Sequence, residues 1–132
     1  MSAYLRQKFA YLGRLRTATG GAERAAQNAH ARFEARDWAD SLSEVERTGR
    51  CVASFNRILN GEEGDKPEGV DLHSPEVRSY IERVDVARRA AMVVAGRLAP
   101  VQKQWTEQTA STGRYPLNGW VPTSPVGAGD GQ

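Results

Sequence analysis

From residue 77 to residue 105 apolar side chains return at every seventh position, at Val77, Val84, Ala91, Leu98 and Trp105, with Tyr80, Ile81, Ala87, Val94 and Val101 between them. This is the spacing of a long helix with one apolar seam; a strand, whose side chains alternate with a period of two, cannot present it. Ser74-Pro75-Glu76 stands in front of the run. It supplies an N-cap, a proline at the first helical position and an acid in the first turn, so a helix is expected over about 75–110. Pro100 falls inside it. Its ring meets the carbonyl of Gly96 and it removes one hydrogen bond, yet the phase runs unchanged from Ala91 to Trp105, which predicts a kink and not a stop.

The same device occurs upstream, where Trp38, Val45, Val52 and Leu59 are seven apart and Leu42 and Phe55 fill intermediate positions. With no proline between Ala22 and Asn60 and only Gly49 as a weak point, a second long helix is expected over about 22–60. Residues 2–18 read as a shorter amphipathic helix, with Leu5, Leu12 and Leu15 near one stripe and Tyr4, Phe9 and Tyr11 beside it; Gly20-Gly21 is expected to end it. Residues 61–74 hold three glycines, one proline and five acids and form a polar connection. The two long helices, each about 55 Å at 1.5 Å per residue, are expected to return on one another. The fold class is therefore all-α: a long antiparallel helical hairpin plus a short N-terminal helix. Matching heptads set Leu59 by Val77, Val52 by Val84, Val45 by Ala91, Trp38 by Leu98 and Ala31 by Trp105. The helical domain spans 1–112, and 113–132, with five glycines and three prolines in twenty residues, is an extended C-terminal arm.

At 132 residues there is room for one core. No apolar run approaches the roughly 18 residues of a membrane span, so the chain is expected to be cytoplasmic at synthesis. The net charge of +2 hides a segregation. Residues 1–20 carry Arg6, Lys8, Arg14 and Arg16 and no acid, while residues 33–72 carry ten acids against five bases. A basic end of this kind steers a chain towards an acidic protein, nucleic acid or anionic lipid. A nucleic-acid binder usually shows a denser basic stripe over its whole domain, so the favoured reading is that these cations solvate the outside of a helix.

The residues that carry chemistry are sparse. His30, Glu34 and Asp37 share a helix face at i, i+4 and i+7, but neither His30 nor His73 has the Glu three residues before it that di-iron bundles use. Cys51, the single cysteine, adjoins the seam and reads as an inert buried thiol despite Arg47 and Arg50 nearby. No phosphate-binding loop and no nucleophile with a base can be assembled. No catalytic group, metal or cofactor is expected, and alanine at His30, His73 or Cys51 is expected to leave function intact. Partner contact is expected instead from Tyr115, Leu117, Trp120 and Val121, costly to leave in water and set in an arm that prolines stiffen.

The stretch RFEARDWADSLSEVERTGRCV, Arg32 to Val52, resembles the second helix of the small helical flagellar and type III export chaperones, with an acid and a Trp before a run of Leu and Glu. The resemblance implies a helical groove that holds a client helix; the Pro/Gly tail with two aromatics departs from that family. The favoured expectation is a non-enzymatic structural or adaptor subunit of a larger assembly. It would bind a protein partner or further copies of itself through apolar helix faces and the arm, with a phage virion or connector component as the most concrete form. The alternatives are an export or assembly chaperone and an accessory subunit of a multi-subunit enzyme.

Overall fold

The computed structural model describes residues 2–62, 66, 67 and 69–112, with side chains to residue 104. Three helices follow one another: α1 (Ala3–Glu34), α2 (Trp38–Leu59) and α3 (Pro75–Thr112). The described chain is all-α. No helix among these residues is long and apolar enough to cross a membrane. The arm at 113–132, with Tyr115, Leu117, Trp120 and Val121, lies outside the described residues.

The helix boundaries expected near the N-terminus are corrected. α1 runs through Gly20-Gly21, and the expected 22–60 helix is broken at 35–37 instead. Each helical glycine costs about 1 kcal/mol relative to alanine, and packing outweighs that here. A Cβ on Gly21 would stand 3.1 Å from the Cys51 sulfur, so the glycine lets α2 approach, while Ala22, Ala25, Ala26 and Ala29 beyond it are buried. The break at 35–37 is a Schellman turn. The Asp37 N–H donates to the Arg32 carbonyl at 2.8 Å and the Arg36 N–H to Phe33 at 3.0 Å, with Arg36 in the left-handed region at φ 60. Asp37 then caps α2, accepting from the Asp40 N–H at 3.4 Å. The same turn ends α2, where Gly61 takes φ 77 and the Glu62 N–H donates to Arg57 at 2.7 Å. At the other forecast start, the Ser74 hydroxyl accepts from the Val77 N–H at 3.4 Å, and α3 continues through Pro100.

The helices pack as an up-down-up bundle, α2 antiparallel to both neighbours. At one end Tyr11, Leu12 and Leu15 of α1 meet Phe55 and Ile58 of α2 and Val77, Tyr80 and Val84 of α3. The waist is made of small residues, Ala22, Ala26, Ala87 and Ala91, with Cys51 and Val52 against them. At the far end Ala29, Trp38, Val94, Leu98 and Val101 close the core, with Phe33 edge-on to Trp38 at 5.2 Å. Two polar side chains bond to main-chain carbonyls of another helix. Buried Ser41 donates to the Ala29 carbonyl at 2.8 Å, and the Tyr11 hydroxyl donates to the Leu59 carbonyl at 3.0 Å, one of the α2 terminal acceptors that has no partner within its own helix. Burial pushes the Tyr11 phenol above its ordinary pKa.

Of the pairs expected between α2 and α3, Leu59 and Val77 fall in one cluster, as do Val52 and Val84, and Trp38 and Leu98. Val45 and Ala91 fall in adjoining clusters. Ala31 belongs to exposed α1 surface, and the side chain of Trp105 lies outside the described ones. The body is thus a three-helix bundle, not a two-helix hairpin with a short cover. Since α1 is 32 residues long, Tyr80 and Val94 are buried and Phe33 is partly covered, which leaves less apolar surface over than a hairpin would.

Candidate partner-binding surface

Parallel helices α1 and α3 leave a groove between them of about 530 Å³. Its α3 wall is apolar, formed by Val86, Ala90 and Val93 at spacings of four and three residues, the seam rule repeated on a second face of the same helix. Val86 is 54% and Val93 63% exposed, a degree of exposure that the seam residues on the inner face, Ala87, Ala91 and Val94, do not share. The α1 wall is polar and carries Glu23, Gln27 and His30.

Ion pairs join the two helices within the groove, at Arg83, and beyond it, at Arg97. Arg83 holds Glu23 through two bonds of 2.9 and 2.7 Å, and this hydrogen bonding keeps the Glu23 carboxyl below its ordinary range and the guanidinium above its own. Beyond the groove Arg97 lies 3.6 Å from Glu34 and stacks on Phe33 with its guanidinium carbon 4.3 Å from the ring centroid. The pairs hold α1 and α3 in register beside a surface that neither helix fills.

The residues singled out for chemistry are kept apart. His30 sits exposed on the groove rim and His73 in the connection before α3, where its N–H donates to Asp71 at 2.8 Å. Cys51 is half-buried against Gly21. The face that His30, Glu34 and Asp37 were expected to share ends at Glu34, because Asp37 lies beyond the turn and caps the next helix. Among the described residues no three His, Cys, Asp or Glu side chains are grouped to hold a metal. The basic N-terminus forms no stripe: at 100° per residue, spacings of two, six and two residues put Arg6, Lys8, Arg14 and Arg16 on four sides of α1. Arg14 is drawn inward over the Tyr11 ring, 6.0 Å from its centroid. A second exposed apolar group, Tyr4, Leu5 and Phe9, lies on the same end of α1.

Sequence reasoning missed the groove. Val86 and Val93 were legible as apolar residues seven apart, but assigning a wall to them requires knowing that α1 runs the length of α3. The segment Arg32 to Val52, which resembles a single chaperone helix, spans the end of α1, the turn at 35–37 and most of α2. Compared with protein-family profiles, curated proteins and solved structures, the chain matches none at a significant level.

Proposed function

We propose that this chain is a non-catalytic structural or adaptor subunit of a larger protein assembly, and that it docks another protein in the α1–α3 groove. The observation that carries the reading is the exposed strip of Val86, Ala90 and Val93 beside a polar helix wall. Surface valines scattered singly need no explanation; two in line on one helix, facing a groove bordered by the Arg83–Glu23 ion pair, form a site an apolar side chain can enter. A particle component such as a phage virion or connector subunit is the concrete form suggested by the chain's helical body and C-terminal arm.

The test is a photo-crosslinking residue in place of Val93, expressed in the source cells. The expected result is one protein adduct in stoichiometric yield, lost when Val86→Asp is added while helical content by circular dichroism is unchanged. Absence of any protein adduct overturns the reading.

A further inference from the structure

Over residues 3–24, α1 turns a face of one charge outward. Residues 1–22 hold no acid. Lys8 and Arg14 point elsewhere on the helix, but Arg6 and Arg16 share a side with Arg24. Arg6, Phe9, Gly13, Arg16, Gly20 and Arg24 follow one another at steps of three or four residues, which at 100° per residue keeps them within a sector of about 80°. The four side chains in that sector are exposed, and a Cβ at either glycine would meet nothing within 4 Å. Exposed Leu5 stands beside Phe9, one turn before it. Glu23, the first acid in the chain, lies at the edge and is held by Arg83. Among the described residues Arg6, Arg16 and Arg24 are paired with no carboxylate, whereas Arg32, Arg47, Arg83, Arg88, Arg89 and Arg97 are. The acidic connection reaches α1 on the far side: Gly69 lies by the Tyr4 hydroxyl, and Tyr4 is about 160° round the helix from the middle of this face.

Such a face fits an occupant that offers diffuse negative charge and also an apolar medium at one end. Arg6 and Arg24 are eighteen residues apart, about 27 Å at 1.5 Å per residue. A nucleic-acid duplex carries a charge about every 1.7 Å of its axis, far denser than three cations over this length, and it has no apolar pocket for Leu5. A second copy apposed through the same face would set arginine against arginine. An anionic bilayer meets both demands. Leucine and phenylalanine enter the boundary between headgroups and acyl chains, while the arginine stems let the charged heads stay among the headgroups. The gaps at Gly13 and Gly20 let the helix lie close to the surface. Each cation near an anionic leaflet contributes roughly fivefold to partitioning, so the three together supply on the order of a hundredfold.

We propose that the outer face of α1 is a peripheral docking surface for an anionic lipid bilayer, with Leu5 and Phe9 inserted and Arg6, Arg16 and Arg24 at the headgroups. The surface is separate from the α1–α3 groove. It is tested by cosedimentation of the purified full-length chain with vesicles of phosphatidylcholine alone or with phosphatidylserine added. The expected result is binding to the phosphatidylserine vesicles only, weakened by salt. Arg16→Glu, Arg24→Glu and Phe9→Asp should each lower it at least about fivefold with helical content unchanged. Arg16→Lys should bind as the parent does, because a bilayer reads charge without a fixed geometry. Val86→Asp, in the groove, should also bind as the parent does, so failure of the groove reading and failure of this one are told apart. Equal binding to both vesicle types, binding that survives the arginine reversals, loss with Arg16→Lys or Val86→Asp, or binding to a DNA duplex in place of vesicles overturns the proposal.

Discussion

At Arg36 the chain pays for a reversal without the residue that usually makes it. A non-glycine side chain at φ 60 costs roughly 1–2 kcal/mol, and the arginine is exposed, so nothing holds its side chain in compensation. Arg36→Gly is expected to raise stability by about 0.5–1 kcal/mol, less than the full strain because the unfolded glycine is more mobile. The check is a urea midpoint that moves up at constant m-value. The glycine pair in α1 separates two effects of the same substitution. A Cβ on Gly20 meets nothing within 4 Å, whereas one on Gly21 meets the Cys51 sulfur at 3.1 Å. Gly20→Ala should therefore stabilise by up to about 1 kcal/mol through helix propensity. Gly21→Ala should lose most of that gain to crowding and recover it when Cys51→Ala is combined with it, as a double-mutant cycle in urea would show.

Pairing of α1 with α3 depends on charged residues at the edges of a small-residue waist. The folded-state pKa of Glu23 is depressed by Arg83, so the pair contributes above the unfolded carboxylate range, and its contribution is lost as the pH falls through the folded value. Both side chains are about a third or more exposed, so water screens the pair and its effect on stability is small. Glu23→Gln is expected to remove a small, salt-sensitive part of the acid destabilisation and to leave neutral-pH helical content unchanged, measured by urea titration at pH 7 and pH 3.5. The elements themselves were partly legible. The Ser-Pro-Glu start of α3 and its passage through Pro100 followed from capping and phase. The break between α1 and α2 did not, because an arginine took the position where the corresponding turn after α2 has Gly61; the local cue that remained was Asp37 as a cap three residues before Asp40.

Across the whole molecule the three apolar clusters are strung along the same three helices, so no part can loosen without exposing its neighbour. Unfolding is expected in a single step. Leu98→Ala at one end should cost about 2–4 kcal/mol and Tyr80→Ala at the other a comparable amount, since both remove buried side chains. In each variant circular dichroism and tryptophan fluorescence should report the same urea midpoint; separated transitions would show that the two ends unfold independently.

Helical period belongs to local spacing, and the sequence alone determined the all-α class. It follows from side chains repeating along one helix. Where α1 stops was decided only in the tertiary structure: the gain from packing Gly21 and the alanines after it against α2 and α3 exceeds the cost of two helical glycines, and a strained arginine turn is tolerated where Phe33 and Trp38 pack across it. The groove arose the same way. Val86 and Val93 are ordinary apolar residues in the sequence, and they become the wall of a site because α1, continuing past Gly20-Gly21, lies alongside α3 and leaves that strip uncovered.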